Sequence, residues 1–265
     1  MSEDVTRAYD AISGSYDALH LDWRASVGRQ GLALDGLMEQ RIGVGPHRVL
    51  DCSCGIGTQA IGLAVRGHAV TGTDLSSAAL ERARAESASF GVELETQVAD
   101  MRELQLVLSG PFDVVLSCDN SIAHLDPAEL GDALAQMHAL TRPGGLVLVS
   151  LRDYGSLRND RARLASPMIS GAPGTRSITL QAWEWDAGGV AYRSTLLFLD
   201  ERDGAWTIRS EMLPILHAHE RDTMIGAMEH AGLDEVRWHD AGDDAFYQPV
   251  ATALRRARSR GVELR

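Results

Sequence analysis

Val49-Leu-Asp-Cys-Ser-Cys-Gly-Ile-Gly-Thr58 is the stretch whose reading decides the fold. An apolar strand ends on an acidic residue, Asp51, and a turn of small residues then opens a helix. Glycines in such a turn allow a positive φ and let a ligand approach the backbone closely. In an open α/β sheet, ligands bind just outside the carboxyl ends of the strands. The expectation is a ligand seated over Asp51–Thr58.

The pattern repeats on the carboxyl side. Ala69–Thr73 reads as a second strand ending in Asp74, followed by a helix with Ser76 as N-cap and Gly91 as its stop. Val92–Ala99 reads as a third strand ending in Asp100, and Phe112–Cys118 as a fourth ending in Asp119-Asn120. Asp126-Pro-Ala-Glu129 is a helix start, with Asp as N-cap, Pro at N1 and Glu at N3. That helix is expected to stop at Arg142-Pro-Gly-Gly145, before an apolar fifth strand over Leu146–Leu151. Strands alternating with helices predict a parallel, doubly wound sheet.

Beyond Leu151 the pattern changes. Three antiparallel strands are predicted over Ile178–Trp185, Val190–Leu199 and Ala205–Leu213, with turns at Asp186-Ala-Gly-Gly189 and Asp203-Gly204. A helix over Glu220–Ala231 and strands over Val236–His239 and Phe246–Ala253, joined by a turn at Asp240–Asp243, return the chain to the core. On the amino-terminal side, Gly43-Val-Gly-Pro46 breaks the chain. Before it, Tyr9, Ile12, Tyr16 and Leu19 recur at helical spacing. This segment reads as an amphipathic packing helix or as a lid, and a lid must also pack. The predicted fold class is thus α/β: a Rossmann-like, doubly wound, mostly parallel seven-stranded sheet. Residues 1–42 form a helical cap, 43–152 and 217–256 the core of the one domain, and 153–216 a β-rich insertion covering the substrate.

Composition narrows the function. The 265 residues suit one large α/β domain. No apolar run is long enough to span a membrane, and the acidic Met1-Ser-Glu-Asp start lacks a signal-peptide pattern. Three cysteines without a disulfide framework suit a cytoplasmic location. A net charge of -12 argues against nucleic acid as a partner, and the short basic run Arg255, Arg256, Arg258, Arg260 reads as a solvated end. All 25 basic residues are arginine. The lack of lysine excludes Schiff-base chemistry, a Walker A loop and lysine-dependent reductase schemes.

The first four strands each end in a carboxylate, and a parallel sheet brings those tips to one edge. Asp74 stands where a ribose diol is expected. Asp100 could take an exocyclic amine of adenine while the Met101 thioether packs on its face. Asp51 would favour a nearby positive charge. A nicotinamide site is the rival, but its Gly-x-Gly-x-x-Gly pattern is met only with Ala60 in the last place. That motif alone decides weakly. The Asp100 tip and the missing lysine weigh against the rival. Cys52 and Cys54 read as small core and turn residues, and no spacing matches a metal site. Trp183 and Trp185 share one face of the inserted hairpin; they read as packing for the insertion, with a pocket roof as the alternative.

On these residues the chain resembles class I S-adenosylmethionine-dependent methyltransferases. Val49–Gly57 resembles the family's first motif, with Ser53 in place of its usual first glycine. Asp74 resembles the ribose acid, Asp100-Met101 the adenine motif, and Arg142-Pro-Gly-Gly145 the turn before strand five. More narrowly, Asn120-Ser-Ile-Ala-His-Leu125 and Leu151-Arg-Asp-Tyr154 are similar to motifs of glycine (sarcosine) N-methyltransferases. The resemblance implies S-adenosylmethionine as cofactor, held by Asp51, Ser53, Gly55, Gly57, Thr58, Asp74, Leu75, Asp100, Met101 and Cys118. It implies that Arg152 binds an acceptor carboxylate and that Asn120 contacts the acceptor. Tyr16, Tyr154 and His217 are further acceptor-side candidates. His124 is a candidate base, or a group that orients Asn120. The expected activity is methylation of an amine on an amino-acid-like small molecule. The alternatives are an O-methyltransferase for a larger natural product and a non-catalytic cofactor-binding module. The expected partner is the small-molecule acceptor; self-association stays open.

Overall fold

The computed structural model describes residues 3–160, 163–242 and 246–257. Arg258, Arg260 and Asp243 lie outside the described residues. The cap consists of α1 (Glu3–Ile12), a 3-10 segment (Ser13–Leu19) and α2 (Trp23–Ile42). The core follows as β1 (Arg48–Asp51), α3 (Thr58–Val65), β2 (Ala69–Asp74), α4 (Ser77–Ser89), β3 (Glu95–Val98), β4 (Phe112–Ser117), α5 (Pro127–Leu140) and β5 (Thr141–Ser150). The inserted segment holds α6 (Tyr154–Asp160), β6 (Met168–Ser170), β7 (Ser177–Trp185), β8 (Ala191–Arg202) and β9 (Ala205–His217). The chain ends with α7 (Arg221–His230), β10 (Leu233–His239) and β11 (Val250–Arg255).

Among the described residues the core strands form a seven-stranded sheet in the order β3-β2-β1-β4-β5-β11-β10. The first five run parallel; β11 is antiparallel to both β5 and β10. A period of two sends successive residues of β1 to opposite faces. Val49 joins a core with α2, α3 and α4, while Leu50 joins one with α5, α7 and the insertion. The local signals act as read. Asp126 and Glu129 form a capping box with Pro127 behind the cap, and Ser76 accepts from the Ala79 N–H at 3.0 Å.

Several boundaries differ from the sequence reading. Arg142–Gly145 is not a free turn: α5 ends at Leu140 and β5 begins at Thr141. A register shift between Phe112 and Val114 absorbs the glycines within the strand. A second shift, with Glu235 at positive φ, lets β10 begin at Leu233. Pro249 has no N–H to donate to a ladder, so the last strand starts at Val250 and Phe246–Pro249 is a loop. Among the described residues the inserted sheet has four strands rather than three, in the order β6-β7-β8-β9. The extra strand is only three residues long, too short for a periodic signal.

Candidate active site

The β1 tip places Asp51 in the interior, 0% exposed. Its Oδ1 accepts from the Ser53 N–H at 3.2 Å, and its Oδ2 has no hydrogen-bond partner among the described residues. Burial pushes its pKa up to about 7, the Ser53 N–H opposes this, and Asp74 adds to the rise. The turn beyond it needs its small residues. Gly55 sits at φ 53 with open space where a Cβ would point. Gly57 sits at φ 93, where a Cβ would fall 2.8 Å from Ile61 Cδ1. Gly72 of β2 lies so close that a Cβ there would meet Cys54 Sγ at 2.6 Å. The cap secures the turn from above, with Trp23 Nε1 donating to Thr58 Oγ1 at 2.9 Å.

Asp74 is fixed by backbone donors: Gly55 N–H to Oδ2 at 2.9 Å and Ser76 N–H to Oδ1 at 3.0 Å. Burial raises its pKa and those N–H groups oppose the rise. Together these tips frame a cleft lined by Ser53, Gly55, Thr58, Asp74, Leu75 and Met101, with α1 closing over it. Among its described lining residues there is no arginine. Two carboxylates on the walls, Asp74 and Asp119, suit a positively charged ligand; Asp51 lies fully buried behind them and is not on the wall. A pyrophosphate would meet repulsion from Asp74 and Asp119.

A second cavity of about 1100 Å3 lies between the cap, the strand tips and the inserted sheet. Asn120 and Arg152 line it. Asn120 is held in the left-handed region at φ 65. Its Oδ1 accepts from the Arg152 N–H at 3.1 Å and from the Tyr154 hydroxyl at 2.8 Å. Arg152 donates to Tyr192 Oη at 3.1 Å and Gln181 Oε1 at 2.9 Å, and stacks over Trp183. Burial lowers its pKa, but Tyr192, Tyr154 and Asp119 more than offset this.

The two cavities meet. Tyr9, Tyr16 and Asp119 line both. Asp119 accepts from the Tyr16 hydroxyl at 3.2 Å and from the Tyr247 hydroxyl. The Tyr9 hydroxyl shares a 2.8 Å hydrogen bond with His124 Nε2. Burial pushes His124 down to about 4, so the ring is neutral near pH 7.

The remaining candidates from the sequence sit elsewhere. The Asp100 carboxylate turns to the Arg102 guanidinium, which donates to both its oxygens, and it is not on the cleft wall. Gly57 caps α3 and Cys118 is buried behind the wall. Tyr154 is buried and does not line the cavity; its hydroxyl bonds to Asn120, which does, and to Tyr192. His217 is half-buried beside His219 and lines neither cavity. Trp183 does roof the cavity, whereas Trp185 packs on the Tyr192 ring at 4.7 Å. Sequence reasoning missed Gln181, Tyr192 and Ser194, whose signal was the alternation of the inserted strands. It also left Asp119 without a role, although Asp119 was the fourth tip acid.

A family model described as a methyltransferase domain matches residues 49–145. The ubiquinone biosynthesis O-methyltransferase of Pseudomonas paraeruginosa is 32% identical over 165 residues, covering 57% of this chain and 68% of that one. The chain spans about half the length of other ubiquinone biosynthesis O-methyltransferases it matches. Among solved structures, the CcbJ methyltransferase from Streptomyces caelestis has a TM-score of 0.74 at 20% identity, covering 97% of this chain and 100% of that one. CalS10, an amino pentose methyltransferase from Micromonospora echinaspora, has a TM-score of 0.72 at 18% identity, covering 92% and 96%. At these identities the structural likeness speaks for the fold alone. These comparisons do not show the narrower likeness to glycine N-methyltransferases that the two short motifs suggest; the sequence relatives are O-methyltransferases.

Proposed function

We propose that this chain, which belongs to the class I S-adenosylmethionine-dependent methyltransferase family, methylates an amine of a small-molecule acceptor seated in the 1100 Å3 cavity. The observation that carries the proposal is the junction at Tyr9, Tyr16 and Asp119, where the acid-walled cleft opens into the acceptor cavity. The residues of the cleft suit the cofactor: Asp74 for the ribose hydroxyls, Ser53 and Gly55 for close backbone approach, and Met101 for the adenine face; Asp51 lies behind them, fully buried and not part of the cleft wall, where its charge favours a cation nearby. When bound there, S-adenosylmethionine supplies an electrophilic methyl group on sulfur.

The chain's own groups must then hold and aim the acceptor. Desolvation and alignment account for most of such an acceleration. Asp119 offers an acceptor amine a carboxylate at the junction, and Asn120 fixes the start of the Arg152 segment through the Arg152 N–H. Arg152 lines the same cavity, near enough to the junction to feel the Asp119 charge, with neutral oxygens as its only side-chain hydrogen-bond partners among the described residues. It is placed to pair with a carboxylate of the acceptor. A cavity of about 1100 Å3 leaves room for an acceptor larger than a free amino acid.

O-methylation is the second reading, favoured by the similarity to ubiquinone biosynthesis O-methyltransferases. A labelled-methyl screen over matched amine, phenol and carboxylate panels separates the two. Transfer to amines supports the first reading, transfer to phenols alone the second, and no transfer to any panel overturns both.

A further inference from the structure

The inserted sheet carries two different faces. Alternation sends Thr179, Gln181 and Trp183 of β7 and Ser194 and Leu196 of β8 to the cavity. The residues between them turn outward, and most of those are apolar as well. One outward row crosses all four strands in register: Ile169, Ile178, Leu199 and Ile208. The next pairs Leu180 with Leu197. A third runs through Leu164, Ala182, Thr195 and Met212. Ile208 is 65% exposed, and Ile169 and Met212 are 55% exposed. At the centre of this face, Ile178, Leu180, Leu197 and Leu199 join neither hydrophobic core among the described residues. An antiparallel sheet with one solvated face alternates apolar with polar residues; this one does not. Charge is confined to the two ends of the face. Arg176 and Glu201 form an ion pair at 2.7 Å at one end. Glu184 and Arg193 are exposed register partners at the other.

The dimensions suit a partner of the same shape. Standard strand spacing and rise make the face roughly 19 by 27 Å, or about 500 Å2. Two copies laid face to face cover about 1,000 Å2 in all, the level at which an interface becomes specific. The pattern is also self-complementary. Sheets pack face to face with strand directions within about 30° of each other. A two-fold axis along the strands, between β7 and β8, sets β7 against the partner's β8 and β6 against the partner's β9. The registers then oppose Ile178 to the partner's Leu199, Leu180 to the partner's Leu197 and Ile169 to the partner's Ile208. At the charged end they oppose Glu184 to the partner's Arg193, and the symmetry makes that pair twice.

We infer that the outer face of the inserted sheet is a docking surface for a second copy of this chain, giving a two-fold symmetric dimer. The sheet that roofs the cavity on one side then packs on its own copy on the other. The inference does not depend on what the cavity methylates.

Sedimentation velocity of the full chain at micromolar concentrations tests it, with wild type, Ile208→Glu, Glu184→Arg, Arg193→Glu and the double reversal Glu184→Arg/Arg193→Glu. The expected result is a wild-type dimer. Ile208→Glu brings two carboxylates into the apolar interface and should weaken the dimer about a hundredfold or more. Each single reversal sets like charges against each other and should weaken it about tenfold, and the double reversal should return it to within about threefold of wild type. Circular dichroism verifies that each variant is folded; should Ile208→Glu not fold, the charge reversals decide. A monomeric wild type, a folded Ile208→Glu with wild-type dimer affinity, or a double reversal no tighter than the single ones would each overturn the inference. A monomeric wild type that floats with phosphatidylcholine vesicles would also overturn it, and would assign the face to lipid.

Discussion

The Tyr16 hydroxyl donates to Asp119 Oδ2 across 3.2 Å, joining the N-terminal cap to the tip of β4. The Tyr247 hydroxyl donates to the other carboxylate oxygen. Burial first, and Asp119 next, push both phenols well above the usual tyrosine range, so both remain donors at any working pH. The carboxylate is thus held at the place where the two cavities meet. Asp119→Asn should raise the KM of an amine acceptor by about tenfold or more, the loss of one charge-assisted contact. Affinity for S-adenosylhomocysteine should stay within about threefold, because Asp74 and Asp51 remain. Steady-state kinetics beside calorimetry checks both; an unchanged KM would remove Asp119 from acceptor binding.

Asp51 makes cofactor binding sensitive to pH. Its pKa stands at about 7 against an ordinary 3.8, chiefly through burial. For the chain without ligand, this contribution to stability is fully present below the unfolded value and is lost as pH rises through about 7. A positively charged ligand favours the ionised carboxylate and lowers the pKa in the complex. Affinity for S-adenosylhomocysteine, whose ammonium carries that charge, should therefore rise with pH and level off above about 7. Titrations in two buffers of different ionisation enthalpy should show proton release below that value and none above it. Asp51→Asn should flatten the dependence. A flat wild-type profile would contradict the assignment.

His124 reads better as a structural partner of Tyr9 than as a base. At about 4, its pKa makes it a weak proton acceptor near neutrality. His124→Gln should lower kcat by less than about fivefold, yet destabilise the fold by about 1–2 kcal/mol by disturbing a buried hydrogen bond. The pH profile of kcat/KM should carry no limb belonging to this histidine near 6.5. A hundredfold loss of kcat, with cofactor binding intact, would restore the catalytic role.

The cap is held by a contact that only glycine permits. A Cβ built on Gly31 of α2 would lie 2.5 Å from the Gly62 carbonyl carbon of α3, and one on Gly62 would lie 2.5 Å from the Val27 carbonyl oxygen. Backbone atoms cannot step aside as a flexible side chain can. Gly31→Ala should cost about 3 kcal/mol through overpacking and weaken cofactor binding, because α2 carries Trp23 to Thr58. Gly28→Ala on the same helix meets nothing within 4 Å and should gain up to about 1 kcal/mol in helix propensity. Chemical denaturation of the two variants checks the contrast.

How much of this was legible before the structure depended on the range of each signal. Asp126-Pro-Ala-Glu129 and Ser76 act within one helical turn, so their caps formed where read. The strand tips were legible because strand alternation and a terminal acid are local features, and topology then gathers the tips on one edge. Asp100 was not: its partnership with Arg102 depends on side-chain direction, and Glu129 arrives from α5. The Trp183–Ser194 pairing depends on strand register across a hairpin, which alternation alone leaves open. Asp119 needed two tyrosines from opposite ends of the chain, separated from it by 103 and 128 positions.

The measurement that bears most directly on the central claim is calorimetric titration of the full chain with S-adenosylmethionine and S-adenosylhomocysteine at a pH above 7. The expected result is binding of both at one site per chain, weakened about tenfold or more in Asp74→Asn, whose carboxylate is assigned to the ribose hydroxyls. No binding of either ligand, or equal binding by wild type and Asp74→Asn, would contradict it.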